Sequence, residues 1–426
     1  MKIVYTIRNF ELTNGNARLV WELSQRARGE NHGVDIVAHR FPEKGKRFSA
    51  GKSPLPPDPR TSPDGSPRVL AGPLSTTGFK GDFPALNPYE KSMRARERES
   101  AGVNSGIGRH YVPQLPKIFG SWRARSFAWL SSRRAQSLKK EKGVVHGFGD
   151  SYRQDILTLG NIDWSYGSRI PGRSPSAAAV AIKAAALSDA QTAVITVVSA
   201  EMRRDLLKNF PVLKSEKVRV SYPGVDAKKF SPAKREAARQ KLSEAYGIPR
   251  EAFWIVFAAG GDFEKRNFGG IVKALERLKG EDWVFVVAGA KASAIVIDEK
   301  LRARTFFLGL LPDLSEVFPA CDLMAYPAWY DEFALVCLEA MASGVPVVLS
   351  RTVGASEIFP RELDQSCVLK DPQDAVELAA KIDYWRKAPP AAKEIFSKVA
   401  AEYSWDRFYA GYRELYQEVA DRGENA

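Results

Sequence analysis

Asp331 and Glu339 are two carboxylates with seven residues between them, and the second runs directly into Ala340-Met341-Ala342-Ser343-Gly344-Val345-Pro346-Val347-Val348. The spacing predicts a loop that carries the acids, then a helix, with Gly344 placed for a left-handed cap and Pro346 opening the next strand. Glu339 is the only charge on that helix, and an unpaired buried carboxylate is costly, so it needs a partner. Two partners are open. One is a core arginine, with Asp331 or Glu332 merely capping the helix and favouring its dipole. The other is a pair of vicinal hydroxyls, such as those of a bound ribose, for which a carboxylate is a well-suited acceptor. The acids do not form a hydrolase pair: eight positions along one helix separate them by about 12 Å, beyond either hydrolytic geometry.

Upstream, Phe257-Ala258-Ala259-Gly260-Gly261-Asp262-Phe263-Glu264-Lys265-Arg266 reads as a strand, a glycine turn and a basic pair. Gly260 and Gly261 would let a ligand approach the backbone, and Lys265 and Arg266 could hold a diphosphate with the amino end of the next helix. By itself a basic pair before a helix is more often a solvated face. Near the amino terminus, Gly15 and Asn16 sit between a first strand and a first helix; the competing reading of Gly15 is an ordinary left-handed turn. His146, in Val145-His146-Gly147, either lines a cleft or is a satisfied core histidine.

These residues need elements to position them. A strand at 2–7, a helix through Leu19, Leu23 and Ala27 and a strand at 34–39 begin a βαβ unit. Residues 41–108 then break into Pro, Gly, Ser and Arg, which predicts a long, largely disordered insertion. Order resumes at Val144, with a helix over 177–187 and strands at 193–198 and 217–222. Tyr222-Pro223-Gly224-Val225-Asp226 marks a domain junction. A charged helix over 233–246 precedes a second alternating series with strands at 254–259, 283–288, 305–308, 323–326, 346–349 and 367–369. Continuously apolar strands such as Val284-Phe285-Val286-Val287 suit parallel sheets covered on both faces. Two such domains would place a ligand in the cleft between them, at the carboxyl ends of the strands.

Composition narrows the classes. The chain has 426 residues, 44% of them hydrophobic, which is ample for two cores. No apolar run reaches the eighteen or so residues of a spanning helix, and the start lacks a signal-peptide pattern. Cys321, Cys337 and Cys367 lie apart in apolar settings, so reduced thiols in a cytosolic chain are expected. The four histidines are too scattered for a zinc site, and no metal site is expected. The net charge of +13 favours an anionic partner. Much of the excess lies between Arg109 and Lys142, where Trp122, Phe127 and Trp129 are interleaved with nine basic residues and one acidic residue. That segment could meet an anionic membrane surface or be a half-buried helix with a solvated basic face. No nucleic-acid-binding module accompanies the charge. A dehydrogenase is disfavoured by the absence of a complete Gly-x-Gly-x-x-Gly, and a P-loop enzyme by the lack of Gly-Lys-Ser/Thr.

The motif from Asp331 to Val348 resembles that of the retaining glycosyltransferases of family 4, glycosyl transferases group 1, which have the GT-B fold. Their signature is two acids with seven residues between them, followed by this Ala-Met-Ala run. Asp331 replaces the usual Glu, and Glu332 falls where Gly is common. The turn at Gly260 and Gly261 with Lys265 and Arg266, the turn at Gly15, the run Gly354-Ala355-Ser356-Glu357-Ile358, the junction at 223–226 and Tyr403-Ser404-Trp405 extend the resemblance over most of the chain outside the insertion. Gly160 stands where many members carry a histidine.

The resemblance implies an α/β GT-B architecture of two Rossmann-like domains with parallel sheets facing a central cleft. An acceptor-side domain would span 1–222, with the insertion at 41–108, a donor domain 223–403, and a last helix in 404–426 would cross back to the first domain. It further implies retaining transfer from a nucleoside diphosphate-sugar to a hydroxyl of a glycan or glycolipid, in polysaccharide or lipopolysaccharide synthesis. No cofactor is implied, and metal independence is expected. Lys265, Arg266, Asp331 and Glu339 are then the catalytic candidates. Gly15, Gly260, Gly261, Glu339 and Glu357 are candidates for donor binding, and His146 and Asn16 for the acceptor side. The protein would work in the cytoplasm, in one version peripherally on the inner membrane. The competing class is a catalytically inert GT-B binding or scaffold protein at an anionic membrane surface, which Asp331 and Gly160 would allow.

Overall fold

In a computed structural model of the chain, residues 1–10, 15–41, 106–116, 118, 121–139, 142–161, 163–289, 297–311 and 313–422 are described. They belong to one compact unit built on two parallel sheets. The first sheet runs β3-β2-β1-β4-β5-β6-β7. Its strands are β1 (Lys2–Thr6), β2 (Gly33–Ala38), β3 (Ile107–Tyr111), β4 (Val144–Gly147), β5 (Ile156–Leu159), β6 (Val194–Val197) and β7 (Val218–Val220). Ile3 is in register with Val34 on one side and Val144 on the other, so strand order reverses beside β1. The second sheet runs β10-β9-β8-β11-β12-β13. It comprises β8 (Phe253–Ala258), β9 (Trp283–Ala288), β10 (Thr305–Gly309), β11 (Leu323–Tyr326), β12 (Val347–Ser350) and β13 (Val368–Leu369). Here the reversal falls between β8 and β11, which pair through Leu323 and Ile255. In an open α/β sheet these reversals open a crevice at the carboxyl ends of the strands. This is the expected pair of Rossmann-like domains.

Residues of β4, β5, β6, β9, β11 and β12 are buried on both faces, which is why these strands are apolar runs without alternation. β3 is different. Its Ile-Gly-Arg-His-Tyr sequence is only partly covered at the sheet edge, and nothing in its pattern predicts a strand. Residues 42–105 of the expected insertion lie outside the described residues, whereas Ile107 and Gly108 belong to β3 and pair with Val34 and Asp35. The helix Trp122–Leu138 turns Phe127 and Ala135 onto a core of Val4, Val37, Val112 and Val145, leaving its basic residues on the outer side.

The helix Trp405–Arg422 returns from the second domain to the first, against the helix Gly15–Gly29 and β4. The two connections between the domains touch where Val225 N–H donates to the Tyr403 carbonyl at 2.8 Å. Gly224 makes this approach possible: a Cβ there would overlap the backbone of Ser404 and Trp405. Gly224→Ala is therefore expected to cost about 1–3 kcal/mol, read as an earlier urea midpoint. An unchanged midpoint would show that the crossing has slack.

Candidate functional site

A cavity of about 430 Å³ opens at the carboxyl ends of both sheets. Gly15, Asn16, Arg18 and Tyr166 reach it from the first domain, and Lys265, Arg266, Glu332 and Glu339 from the second. The basic pair lies on the turn after β8. Gly261 has φ +154°, and Asp262 and Asn267 also have positive φ, so the chain doubles back before the helix Phe268–Leu275. Asn267 caps that helix by accepting from Gly270 N–H at 3.1 Å.

Each cation of the pair meets one acid of the 331–332 dipeptide. Arg266 Nη2 lies 2.9 Å from Asp331 Oδ2, and its Nε donates to Tyr326 Oη at 3.0 Å. Tyr326 in turn donates to Asp331 at 2.9 Å. Lys265 Nζ lies 2.9 Å from Glu332 Oε2, with both side chains under a tenth exposed. Burial alone would raise the Asp331 carboxyl, but the charges of Arg266 and Lys265 outweigh it and hold the group below the usual carboxylate range. Burial would likewise lower Arg266, and Tyr326 and Asp331 reverse it, so the guanidinium stays charged.

Glu339 sits on the helix Leu335–Ala342 in a different environment. Burial pushes its carboxyl up to about 7, while Arg18 and Lys229 pull in the other direction. Arg18 Nη1 is 3.9 Å away, and Lys229 is held by Asp313 at 3.0 Å. Glu339 thus has an arginine partner in Arg18 and at the same time faces the cavity.

The helix starts after Ala334, whose φ of +68° is a left-handed conformation costly for a residue with a Cβ. No side chain caps this amino end, and Leu335 and Val336 face the cavity. Uncapped N–H groups with the helix dipole form a receptor for an anion. Four cations, three of them paired with the lining acids Asp313, Glu332 and Asp331, share one cavity with an open helix end and Glu339. A diphosphate joined to a polyhydroxyl group fits there where it takes over cations that these acids hold.

Of the candidates read from sequence, Gly15, Asn16, Gly260, Lys265, Arg266, Asp331 and Glu339 line the cavity. Gly15 is the first residue of its helix rather than a left-handed turn, while Thr13 and Asn14 lie outside the described residues. Gly160 has a local reason to lack a side chain, because a Cβ there would overlap the Asn16 carboxamide.

Three candidates are corrected. Gly261 shapes the turn after β8 but is not among the residues that line the cavity. Glu357 is not at the cavity: its carboxylate accepts from Ala200 N–H at 2.7 Å, Glu201 N–H at 2.6 Å and Tyr222 Oη at 2.9 Å. It caps the helix Ala200–Asn209 across the domain boundary, with both carboxylate oxygens engaged there. His146 is wholly buried beneath the last helix, bonded to Tyr416 Oη at 3.0 Å and Thr158 Oγ1 at 2.6 Å. Burial pushes it down to about 3, so it is a neutral core histidine.

Arg18, Lys229, Tyr166 and Glu332 were not singled out from sequence as site residues. Only Glu332 carried a signal, a charge where the family pattern commonly has glycine. The other three come from elements far from the motif.

Residues 238–401 match the family model described as Glycosyl transferases group 1. The chain is 28% identical over 245 residues to the D-inositol 3-phosphate glycosyltransferase of Saccharomonospora viridis, a match spanning 52% of this chain and 55% of that protein. It is 25% identical to the protein of the same name from Geodermatophilus obscurus, over 95% of this chain and 89% of that one. Across most of the curated relatives the match spans about half of their length. Among solved structures, WaaG, a glycosyltransferase involved in lipopolysaccharide biosynthesis, superposes with TM-score 0.65 at 14% identity, covering 99% of this chain and 98% of WaaG. HepE of Anabaena in complex with UDP and glucose superposes with TM-score 0.62 at 14% identity, over 98% of this chain and all of that one.

Proposed function

We propose that this chain, whose residues 238–401 match the glycosyl transferases group 1, moves a sugar from a nucleoside diphosphate-sugar to an acceptor hydroxyl with retention of configuration. The observation that carries the reading is one cavity that joins Lys265, Arg266, the uncapped end of the helix Leu335–Ala342 and Glu339. The diphosphate lies on the cations and the helix end, and the ribose hydroxyls donate to Glu339. The transferred sugar points toward Asn16 and Gly15 on the acceptor side. Structural neighbours carry names that include UDP-glucose or UDP-2-fluoro glucose, which supports such a donor.

The barrier is separation of the anomeric carbon from the diphosphate. Negative charge grows on the leaving oxygen, so Lys265 and Arg266 stabilise the transition state more than the ground state. The acceptor oxygen attacks from the side the phosphate leaves, and the phosphate oxygen takes the acceptor proton; the C–O bond broken and the one formed then share a face. Asp331 acts here by holding Arg266. No metal is invoked, because the cations supply the charge. Release of nucleoside diphosphate from a panel of UDP-, GDP- and ADP-sugars is expected to proceed unchanged in excess EDTA. Loss of turnover in EDTA, restored by a divalent cation, would contradict metal independence. No release with any donor and acceptor would instead favour the inert scaffold.

The acceptor reading is a cell-surface glycan or glycolipid in polysaccharide or lipopolysaccharide synthesis, met at the cytoplasmic face of an anionic membrane. No helix among the described residues is long and apolar enough to cross one. Peripheral attachment is supported by the helix Trp122–Leu138, whose Trp122 and Trp129 are 64% and 52% exposed. Arg125 and Arg133 lie over their rings at 5.7 and 4.9 Å. Ile118, four residues before Trp122 in the sequence, is also exposed. Aromatic rings settle at the interface while the arginines meet acidic headgroups. Trp122→Ala with Trp129→Ala is expected to lower co-sedimentation with phosphatidylglycerol vesicles about tenfold. Equal sedimentation of both forms would remove this helix from the account.

A further inference from the structure

Glu332 has a place in the cavity that the signature of its neighbours does not explain. The carboxylate is buried, and its two oxygens have different partners. Oε2 holds Lys265 Nζ at 2.9 Å, and Oε1 accepts from Tyr166 Oη at 3.1 Å. Tyr166 belongs to the first domain, on the short helix Tyr166–Arg169, so the anchor of Glu332 spans the cleft. The Tyr166 ring also lies beside the ammonium, with Lys265 Nζ 5.0 Å from its centroid. Arg266 is held separately through Asp331 and Tyr326. The two neighbouring acids therefore divide the two cations, one each.

A diphosphate at this site must share Lys265 with a carboxylate that already holds it. An acid within reach of the same ammonium both competes for its N–H groups and repels the incoming phosphate charge. We infer that Glu332 is a positioning residue, the resident counterion of Lys265, which yields that ammonium to the donor diphosphate and retakes it to expel the nucleoside diphosphate product. The inference rests on the donor reading given above. Tyr166 keeps Glu332 in place for the return, because its hydroxyl fixes the carboxylate oxygen that Lys265 does not use. The exchange moves no proton and breaks no covalent bond; it replaces one ion pair by another.

The consequence runs against the usual effect of damaging a site: removing the charge of Glu332 strengthens product binding. Titration calorimetry with UDP, ADP and GDP on four proteins tests it: the unaltered chain, Glu332→Gln, Lys265→Met and the double variant. Glu332→Gln is expected to bind the preferred nucleoside diphosphate about tenfold tighter, with donor KM and kcat falling together as release slows. Lys265→Met binds more weakly, and in its background Glu332→Gln changes affinity less than about twofold. Tyr166→Phe keeps the ring and removes only the anchor, so it shifts affinity in the direction of Glu332→Gln by a smaller factor, and it serves if the Gln variant does not fold. Unchanged or weaker binding by Glu332→Gln overturns the exchange, as does equal tightening with and without Lys265. If the unaltered chain binds none of the three diphosphates, the donor reading fails and this inference falls with it.

Discussion

Loss of both cations of the 265–266 pair is expected to lower kcat/KM by about a thousandfold or more, since removing one preorganised partner of a developing anion typically costs a factor of 10²–10³. The structure also says how the experiment must be built. Asp331 and Glu332 are buried against Arg266 and Lys265, so a plain double alanine variant strands two carboxylates. Breaking a buried pair from one side costs about 3–5 kcal/mol, and an unfolded protein would mimic a dead one. Charge-neutral exchanges avoid this: Lys265→Met with Glu332→Gln, and Arg266→Met with Asp331→Asn. Each is expected to keep the melting temperature within a few degrees, because replacing a buried pair by uncharged groups is often neutral. Turnover should nevertheless collapse. Full transfer activity in folded exchange variants would show that the diphosphate lies elsewhere.

Replacement of Glu339 is the second large effect. Its carboxyl, pushed up to about 7 by burial, must be ionised to accept from vicinal hydroxyls. Donor kcat/KM should therefore fall about tenfold per pH unit below that value and level off above it. Glu339→Gln is expected to lose roughly two orders of magnitude at pH 8 and to flatten the acid limb, since buried hydrogen bonds to a charged group are worth about 1.5–3 kcal/mol. A Gln variant with the same acid limb would assign the titration to another group. Stability moves the opposite way. A carboxyl whose folded pKa is raised binds its proton first in the native state, so between about 7 and its ordinary value of 4.5 falling pH stabilises the fold. Activity lost on acidification is then not a sign of unfolding.

Much of this was legible in the chain itself. The βαβ rhythm, the apolar strands and the position of the cleft follow from periodicity, because burial on both faces leaves a continuous apolar run. Asp331, Glu339, Lys265 and Arg266 stand out because local spacing places them on the turns and helix that follow two strands, β8 and β11, although only the fold makes those strands neighbours in the sheet. What could not be read were relations between side chains far apart in sequence. Glu357 has the right neighbourhood for a donor contact, yet its oxygens point at Ala200 and Glu201 N–H groups of the other domain. His146 follows a buried strand, but only the return of Tyr412 and Tyr416 on the last helix makes it a core residue. β3 carries arginine and histidine at an edge, where half-covered positions need no alternation. Glu332 looked like a helix cap or a misplaced acid, and its role depends on Tyr166, 166 residues earlier in the chain.

The most direct test compares binding of the preferred nucleoside diphosphate with that of its 2′,3′-dideoxy counterpart, on the unaltered chain and on Glu339→Ala. The account predicts that the unaltered chain loses about tenfold or more in affinity when the hydroxyls are removed and that Glu339→Ala does not distinguish the two ligands. Equal binding of both by the unaltered chain would contradict the placement of the donor ribose on Glu339.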